Sequence, residues 1–216
     1  MNLKNTILLL SIFLFFGCST KSITPYNGGV CEVPKIINIK FSKEENEAII
    51  KQYPFLFNNI DKYINTKKGG DCSGFITVLN KENGQIYWKN SDFEKEFKKR
   101  RKSQAIYDYY KKRNLIFFHN PKIGDLIFFQ NTLQSNKNKI NGEVTHIGVV
   151  REIYKDGRIR YVHNSRGKNI NSYIHLSKRN IHKEGKKEIN SYIVSCKKDK
   201  VSCLSSNRFI GFGRLQ

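Results

Sequence analysis

The spacing of apolar residues changes at Pro121, and this change constrains the fold of the 216-residue chain more than any other feature. Before Pro121 apolar residues recur at helical intervals, whereas after it short apolar runs and period-two alternation are typical of strands. Asp156 and Gly157 separate two such runs and predict a hairpin. The predicted helices cover residues 42–52, 55–64, 72–83 and 92–113, and the predicted strands cover residues 126–129, 144–154, 158–164, 171–176, 190–196 and 207–214. Helices followed by an antiparallel sheet predict an α+β domain.

Cys72 stands at the start of the third predicted helix, in the sequence Asp-Cys-Ser-Gly-Phe of residues 71–75. Unpaired backbone N–H groups and the helix dipole at such a position favour a negative charge. We therefore expect the pKa of this thiol to lie below its free value of about 8.5, and further below it beside an imidazolium. His146 and His163 follow in predicted strands and supply a base and an orienting partner. The alternative is a structural, half-buried cysteine.

The first 17 residues predict a signal peptide. Lys4 precedes an apolar region at residues 7–16, which is too short to span a bilayer of about 30 Å. Gly17 and Cys18 resemble a bacterial lipobox, in which the cysteine becomes a lipid-modified N-terminus. Ser19 is not the aspartate associated with inner-membrane retention. Its resemblance to known lipoproteins in this respect implies the outer membrane, facing the periplasm. A simple secretory signal cut nearby is the alternative.

The rest of the chain predicts a tether over residues 18–40, beginning at the lipidated cysteine, and one domain over residues 41–216. The chain has 39 Lys and Arg against 18 Asp and Glu, a formal net charge of +21. In the cytoplasm this charge would indicate nucleic acid, but the export signal conflicts with such a partner. Anionic polymers of the cell envelope are the expected partners instead. A composition rich in Lys, Asn and Ile is the other explanation of the charge.

Residues 89–113 hold ten basic and four acidic side chains. The helical pattern here predicts an amphipathic, solvated insertion over about residues 84–118. Contact of this insertion with the wall or with lipid is the functional alternative.

The five cysteines do not have the paired spacing of zinc sites, so no metal is expected. Cys196 and Cys203 flank a short polar stretch, and a turn could bring them into a disulfide in an oxidising compartment. Cys31 would then be left unpaired near the tether.

The chain resembles the NlpC-type cell-wall cysteine peptidases, a papain-like family. The resemblance rests on residues 71–75, 124–129, 145–150, 162–165 and 209–214, which follow one another in the family's order. It implies a papain-like α+β fold in which N-terminal helices, with the nucleophile at a helix N-terminus, pack on an antiparallel β-sheet. The cysteine precedes the histidine, which is the family's unpermuted arrangement.

This resemblance implies a Cys-His-His mechanism. Cys72 would be the nucleophile, His146 its general base, and His163 would hold the His146 ring in the productive tautomer. The implied substrate-binding residues are Asp71, Ser73 and Tyr63. The implied substrate is the peptide stem of peptidoglycan, cut at a γ-D-glutamyl–diaminopimelate bond or at a cross-link. No metal or cofactor is implied.

The third member of this triad depends on strand register. A tight two-residue hairpin would place His163 opposite Val150, too far from His146 for a hydrogen bond at about 3.3 Å per residue. Bulges or a longer loop must absorb the offset. If they do not, Asn164 is the nearest substitute.

Two other functions remain open at this point. One is a non-catalytic, wall-binding lipoprotein of the same fold. The other is an amidase or acyltransferase on another substrate, since transfer and hydrolysis share an acyl-enzyme. The combination of Cys72, His146 and a third polar residue favours the hydrolase, because a binding module has no need for all three.

Overall fold

The computed structural model describes residues 42–94, 97, 101–139, 142–196 and 200–216. The predicted signal peptide, Cys18, the tether and Cys31 lie outside the described residues. In the described part, helices pack against a six-stranded antiparallel sheet, which confirms the predicted α+β class. None of the helices in these ranges is both long and apolar enough to cross a bilayer.

Local sequence signals begin the first helices. The described residues form α1 Lys43–Gln52, α2 Pro54–Tyr63, α3 Cys72–Glu82, α4 Asn90–Phe93, α5 Lys102–Lys112 and α6 Ser205–Arg208. Ser42 is the N-cap of α1, and its hydroxyl accepts the Glu45 N–H at 3.1 Å. Pro54 occupies the first position of α2, where its fixed φ suits the helix and its missing N–H has no consequence.

The predicted single helix over residues 92–113 is wrong. α4 ends at Phe93, and α5 begins at Lys102 because Arg101 is extended, with φ −56° and ψ 139°. The apolar face of the predicted insertion over residues 84–118 is buried in the core. The buried side chains are Tyr87, Trp88, Phe93, Ala105, Ile106, Tyr109 and Tyr110. Among the described basic residues of this segment, Arg101, Lys111, Lys112 and Arg113 are exposed, as an amphipathic pattern predicts.

The C-terminal strand lies inside the sheet. The strands are β1 Ile116–Phe117, β2 Leu126–Gln130, β3 Val144–Ile153, β4 Ile159–Ser165, β5 Lys168–Ile174, β6 Lys183–Glu184, β7 Lys187–Glu188 and β8 Phe209–Gly213. Their order in the main sheet is β1-β8-β2-β3-β4-β5, and β6 pairs with β7 separately. The strand predicted over residues 190–196 is wrong, because this segment makes only an isolated bridge between Tyr192 and Leu204. β1, β6 and β7 were not predicted, since two residues carry no periodicity.

A buried carboxylate fixes the end of the chain to the start of β2. Asp125 is fully buried, and it accepts hydrogen bonds from the Lys122 N–H at 2.6 Å and the Leu215 N–H at 2.8 Å. Arg214 Nη1 also donates to it at 3.0 Å. Burial raises the pKa of Asp125 to about 6, while Arg214 acts in the opposite direction. These three donors compensate the removal of the carboxylate from water.

The β3–β4 hairpin differs from the tight two-residue form. The Tyr154 N–H donates to the Arg158 carbonyl at 2.8 Å, which leaves a three-residue loop with Gly157 at φ +86°. A bulge at Arg151 then shifts the pairing by a further residue.

This register decides which side chains meet near the site. It places His163 opposite Gly148, so the expected partner Val150 is wrong by two residues. The loop and the bulge together absorb the offset that a triad requires. His146 and His163 are now diagonal neighbours on one face of adjacent strands, a separation that long or aromatic side chains bridge.

Candidate active site

Cys72 is the first residue of α3, and a turn with two glycines leads to it. Asp71 Oδ1 caps the helix by accepting the Gly74 N–H at 2.6 Å and the Ser73 hydroxyl at 2.9 Å. Gly69 has φ +90°, and a Cβ on Gly74 would lie 2.0 Å from the Gly69 carbonyl oxygen. The backbone can approach itself this closely only with glycine at both positions.

The Cys72 thiol is half-buried, with its sulfur 3.9 Å from the carbonyl oxygen of Thr145, the residue before His146. The N–H groups of Ile147, Ser73 and Cys72 itself interact with the sulfur and lower its pKa. Burial has the larger and opposite effect, and it raises the pKa of Cys72 to about 11. The expected lowering of this pKa is therefore wrong, because desolvation outweighs the helix N-terminus.

His146 and His163 form a hydrogen bond across β3 and β4. His146 Nε2 lies 2.5 Å from His163 Nδ1, and the two rings are nearly perpendicular, with centroids 4.7 Å apart. His163 Nε2 lies 2.9 Å from Ser172 Oγ in β5. Two hydrogen bonds thus connect three side chains on three neighbouring strands in one line. Nδ1 of His146 takes no part in this line and is left for a further partner.

Burial keeps both imidazoles neutral. It lowers the pKa of His146 to about 4, against the opposing effect of the Asp71 carboxylate. His163 is 2% exposed, and burial followed by the neighbouring His146 moves its pKa well below the usual value. A neutral imidazole has one donor and one acceptor nitrogen, so the tautomers of the two rings depend on each other.

The start of β5 holds the loop that leads to Cys72. The Asn65 N–H donates to the Asn169 carbonyl, and the Asn169 N–H donates to the Thr66 carbonyl, both at 2.8 Å. The buried Asn169 amide also donates to the carbonyls of Tyr63 at 3.2 Å and Lys68 at 3.1 Å. The strand that contacts the second histidine therefore also positions the loop before the thiol.

The thiol and the first imidazole open into a groove of about 1370 Å³. Asp71 and Ser73, two of the predicted substrate-binding residues, line it beside Cys72 and His146. The other walls come from the start of α5, the segment after β2, the β4–β5 turn and residues 192–196. No group of three His, Cys, Asp or Glu side chains in the described ranges is arranged to hold a metal ion.

Tyr63, the third predicted substrate-binding residue, is not brought to this groove. Its hydroxyl donates to Glu82 Oε2 at 2.6 Å. Glu82 is the last residue of α3 and Cys72 the first, which separates them by about 15 Å of helix. The end of α3 supplies a carboxylate partner for the hydroxyl, and the Tyr63 side chain is part of the hydrophobic core.

Asn164, the substitute third member of the triad, also has another partner. Its amide donates to Asn169 Oδ1 at 2.9 Å, whereas His146 is bonded to His163. Of the two candidates, His163 is therefore the side chain that is hydrogen-bonded to His146.

Cys196 and Cys203 form a disulfide, with Cα atoms 6.2 Å apart. Cys196 lines the groove and Cys203 is fully buried, so the bond attaches one wall of the groove to the turn before α6. Cys72 is the free thiol of the described part.

The sequence analysis did not identify Ser172, which is hydrogen-bonded to His163. Its signal lay in the turn between β4 and β5, where Arg166 and Gly167 have φ +53° and +77°. Two positive φ values are typical of a two-residue hairpin, and glycine at the second position predicts one. That register pairs Tyr161 with Ser172 and brings Ser172 diagonally beside His163.

Comparison of the sequence with models of known protein families found a match. Residues 62–190 match the sequence model of the NlpC/P60 family. No match was found among curated proteins or among solved structures. The matched range covers more than half of the chain and contains the thiol, both histidines and Ser172, while β8 extends the same sheet beyond it. The chain therefore belongs to the NlpC/P60 family.

Proposed function

We propose that this protein is a lipid-anchored cysteine hydrolase that cleaves the peptide stem or the cross-links of peptidoglycan. Membership of the NlpC/P60 family indicates a cell-wall hydrolase. The observation that carries the finer proposal is the line from His146 through His163 to Ser172, beside a thiol that opens into the same groove. A module that only binds the wall has no need for two hydrogen-bonded imidazoles next to a free thiol.

In this mechanism His146 is the general base and acts through Nδ1. Its Nε2–H donates to Nδ1 of His163, which leaves the Nδ1 lone pair of His146 free to take a proton. His163 then carries its own proton on Nε2 and donates it to Ser172 Oγ. Ser172 thereby fixes the tautomer of His163, and His163 fixes that of His146, as an orienting group does in other triads.

The reaction begins as the thiol proton passes to His146 and the Cys72 sulfur attacks the peptide carbonyl carbon. The tetrahedral oxyanion is stabilised by the N–H groups of Cys72 and Ser73 at the start of α3. The proton on His146 Nδ1 then goes to the departing amine, and a thioester remains on Cys72. A water molecule, deprotonated by His146, attacks the thioester and releases the carboxylic acid and the free thiol.

The substrate is a stem peptide cut at a γ-D-glutamyl–diaminopimelate bond or at a cross-link, with Asp71 and Ser73 beside its polar groups. Cys18 carries the lipid that holds the protein to the outer membrane, facing the periplasm. Several acyl chains give a stable anchor, because each buried methylene adds about 0.8 kcal/mol. Residues 18–40 act as the tether, and the folded domain of residues 41–216 reaches the wall at its end.

Digestion of peptidoglycan tests this proposal. The protein and its Cys72→Ala variant are incubated with purified sacculi and with soluble muropeptides, and the products are resolved by mass spectrometry. We expect new stem fragments or lost cross-links with the wild-type protein alone. Equal products from both proteins, or none from a folded protein with a free thiol, would contradict it. Products longer than the substrate would identify acyl transfer in place of hydrolysis.

A further inference from the structure

The groove around Cys72 is more basic than the chain as a whole. Its lining includes five basic side chains and one carboxylate, whereas the chain has 39 basic and 18 acidic residues. The groove therefore combines a basic lining with a single carboxylate. The basic lining residues are Arg101, Lys102, Arg166, Lys168 and Lys200, and the carboxylate is Asp71.

These side chains come from three separate segments around the groove. Arg101 and Lys102 begin α5, and the neighbouring Ser103 hydroxyl attaches this helix start to the Val144 carbonyl at 2.8 Å, at the beginning of β3. Arg166 and Lys168 flank the glycine of the β4–β5 turn, which follows the strand of the second histidine. Lys200 precedes the 3-10 turn of residues 201–203. The positive charge is thus distributed along the groove.

Few acidic groups neutralise these charges. Arg101 lies 3.6 Å from Glu143, and both are largely exposed. Lys102 is half-buried, and burial lowers its pKa while Asp71 raises it. Basic residues elsewhere make close ion pairs, such as Arg151 with Asp61 at 2.6 Å.

Three basic groups remain available to a ligand. Within the described ranges, Arg166, Lys168 and Lys200 have no carboxylate in ion-pair distance. The half-buried ammonium of Lys102 has lost part of its hydration. An anionic ligand would restore a favourable interaction to this charge.

We infer that the groove selects the anionic form of its peptide substrate, with Lys102 and Arg166 contacting free carboxylates near the scissile bond. This inference rests on the proposed function. A γ-linked glutamyl residue leaves its α-carboxylate free, and diaminopimelate and the peptide terminus carry further carboxylates. A carboxamide has nearly the same shape without the charge, so an amidated stem peptide would bind and react more weakly.

The experiment compares two soluble stem peptides that differ only in carboxylate or carboxamide at these positions. Cleavage of each is measured with the full-length protein in detergent, with Lys102→Gln and Arg166→Gln, and with Lys51→Gln. Lys51 is exposed on α1 outside the groove and is the matched control for loss of one positive charge. Binding of both peptides to Cys72→Ala is measured by calorimetry at low and high salt, which needs no turnover.

We expect the wild-type protein to cleave the carboxylate peptide with roughly tenfold higher kcat/KM than the amidated one. Lys102→Gln and Arg166→Gln should slow cleavage of the carboxylate peptide and so lower the ratio of the two kcat/KM values. Lys51→Gln should have the wild-type ratio. High salt should weaken binding of the carboxylate peptide only, because the Debye length falls from about 10 Å at 0.1 M to about 3 Å at 1 M and charge pairs are then screened.

Equal kcat/KM for the two peptides would overturn the inference, and so would an unchanged ratio in the folded groove variants. If neither peptide is cleaved in a Cys72-dependent way, the proposed hydrolysis fails. The binding data then decide the inference separately: tighter binding of the carboxylate peptide to Cys72→Ala supports it, and equal binding contradicts it.

Discussion

Titration of the Cys72 thiol from pH 5 to pH 11 should produce thiolate only above about pH 9. Burial raises the pKa of Cys72 to about 11 and lowers that of His146 to about 4. A gap of about seven pH units disfavours transfer of the proton by roughly 10 kcal/mol, at about 1.4 kcal/mol per unit. Attraction between the charges formed, for an assumed separation of about 4 Å and an effective dielectric of about 20, returns only about 4 kcal/mol. The neutral pair is therefore favoured by several kcal/mol.

Ultraviolet absorbance of the thiolate is the appropriate assay. It is measured as the difference between the wild-type protein and Cys72→Ala at each pH. A pH–rate profile cannot replace it, because the neutral pair and the thiolate–imidazolium pair contain the same number of protons. The folded state of both proteins is verified by circular dichroism at every pH.

Thiolate absorbance at pH 7, with a midpoint below about 8.5, would refute this reasoning. Such a result would mean that the thiolate–imidazolium pair of Cys72 and His146 is favoured at rest. Interactions in the groove would then have to outweigh the cost of burying the two charges. His146→Gln is the internal control. With a neutral pair at rest, this variant should titrate near the wild-type midpoint, whereas loss of a real imidazolium would move the midpoint upward.

Three further predictions follow from the packing and the buried charges. Gly74→Ala should lower the free energy of unfolding by roughly 1–3 kcal/mol and abolish activity, since its Cβ would lie 2.0 Å from the Gly69 carbonyl oxygen; wild-type thermal stability would contradict this. Asp125→Ala should cost about 3–5 kcal/mol in denaturant unfolding, because it leaves Arg214 and two N–H groups without their carboxylate; a loss below about 1 kcal/mol would count against that anchor. Stability should fall by about 3 kcal/mol between pH 6.5 and pH 4 through His146, because its lowered folded-state pKa means that the unfolded chain binds the proton first, and the buried His163 adds a loss of the same sign; His146→Gln should reduce the total loss without removing the His163 part, and an equal slope in both proteins would disprove the assignment.

Local features of the fold could be predicted from the sequence because their causes are local. The cap at Ser42 and the helix start at Cys72 depend on residues within one turn of each other. The strands β2, β3 and β4 follow from apolar runs and a turn signal. The break between α4 and α5 could not be read, since the same helical spacing continues through the extended Arg101.

The sequence identified the thiol and the two histidines of the site, but it did not predict the direction of the pKa shift of Cys72. The thiol and both histidines were identified from motifs, yet the meeting of His146 with His163 depends on a bulge at Arg151 that no local pattern announces. The pKa of Cys72 was expected to fall because only the helix start was visible in the sequence. Its burial against Thr145 comes from distant contacts, and burial decides the direction.

The central claim is tested most directly by mass spectrometry of Cys72 itself. The protein is mixed with a soluble muropeptide, quenched in acid within the first turnovers, digested and mapped. The account predicts a peptide containing Cys72 with the added mass of the acyl half of the cleaved substrate, at a level that declines as substrate is consumed. An unmodified Cys72 during continuing cleavage, or cleavage by Cys72→Ala at the wild-type rate, would contradict it.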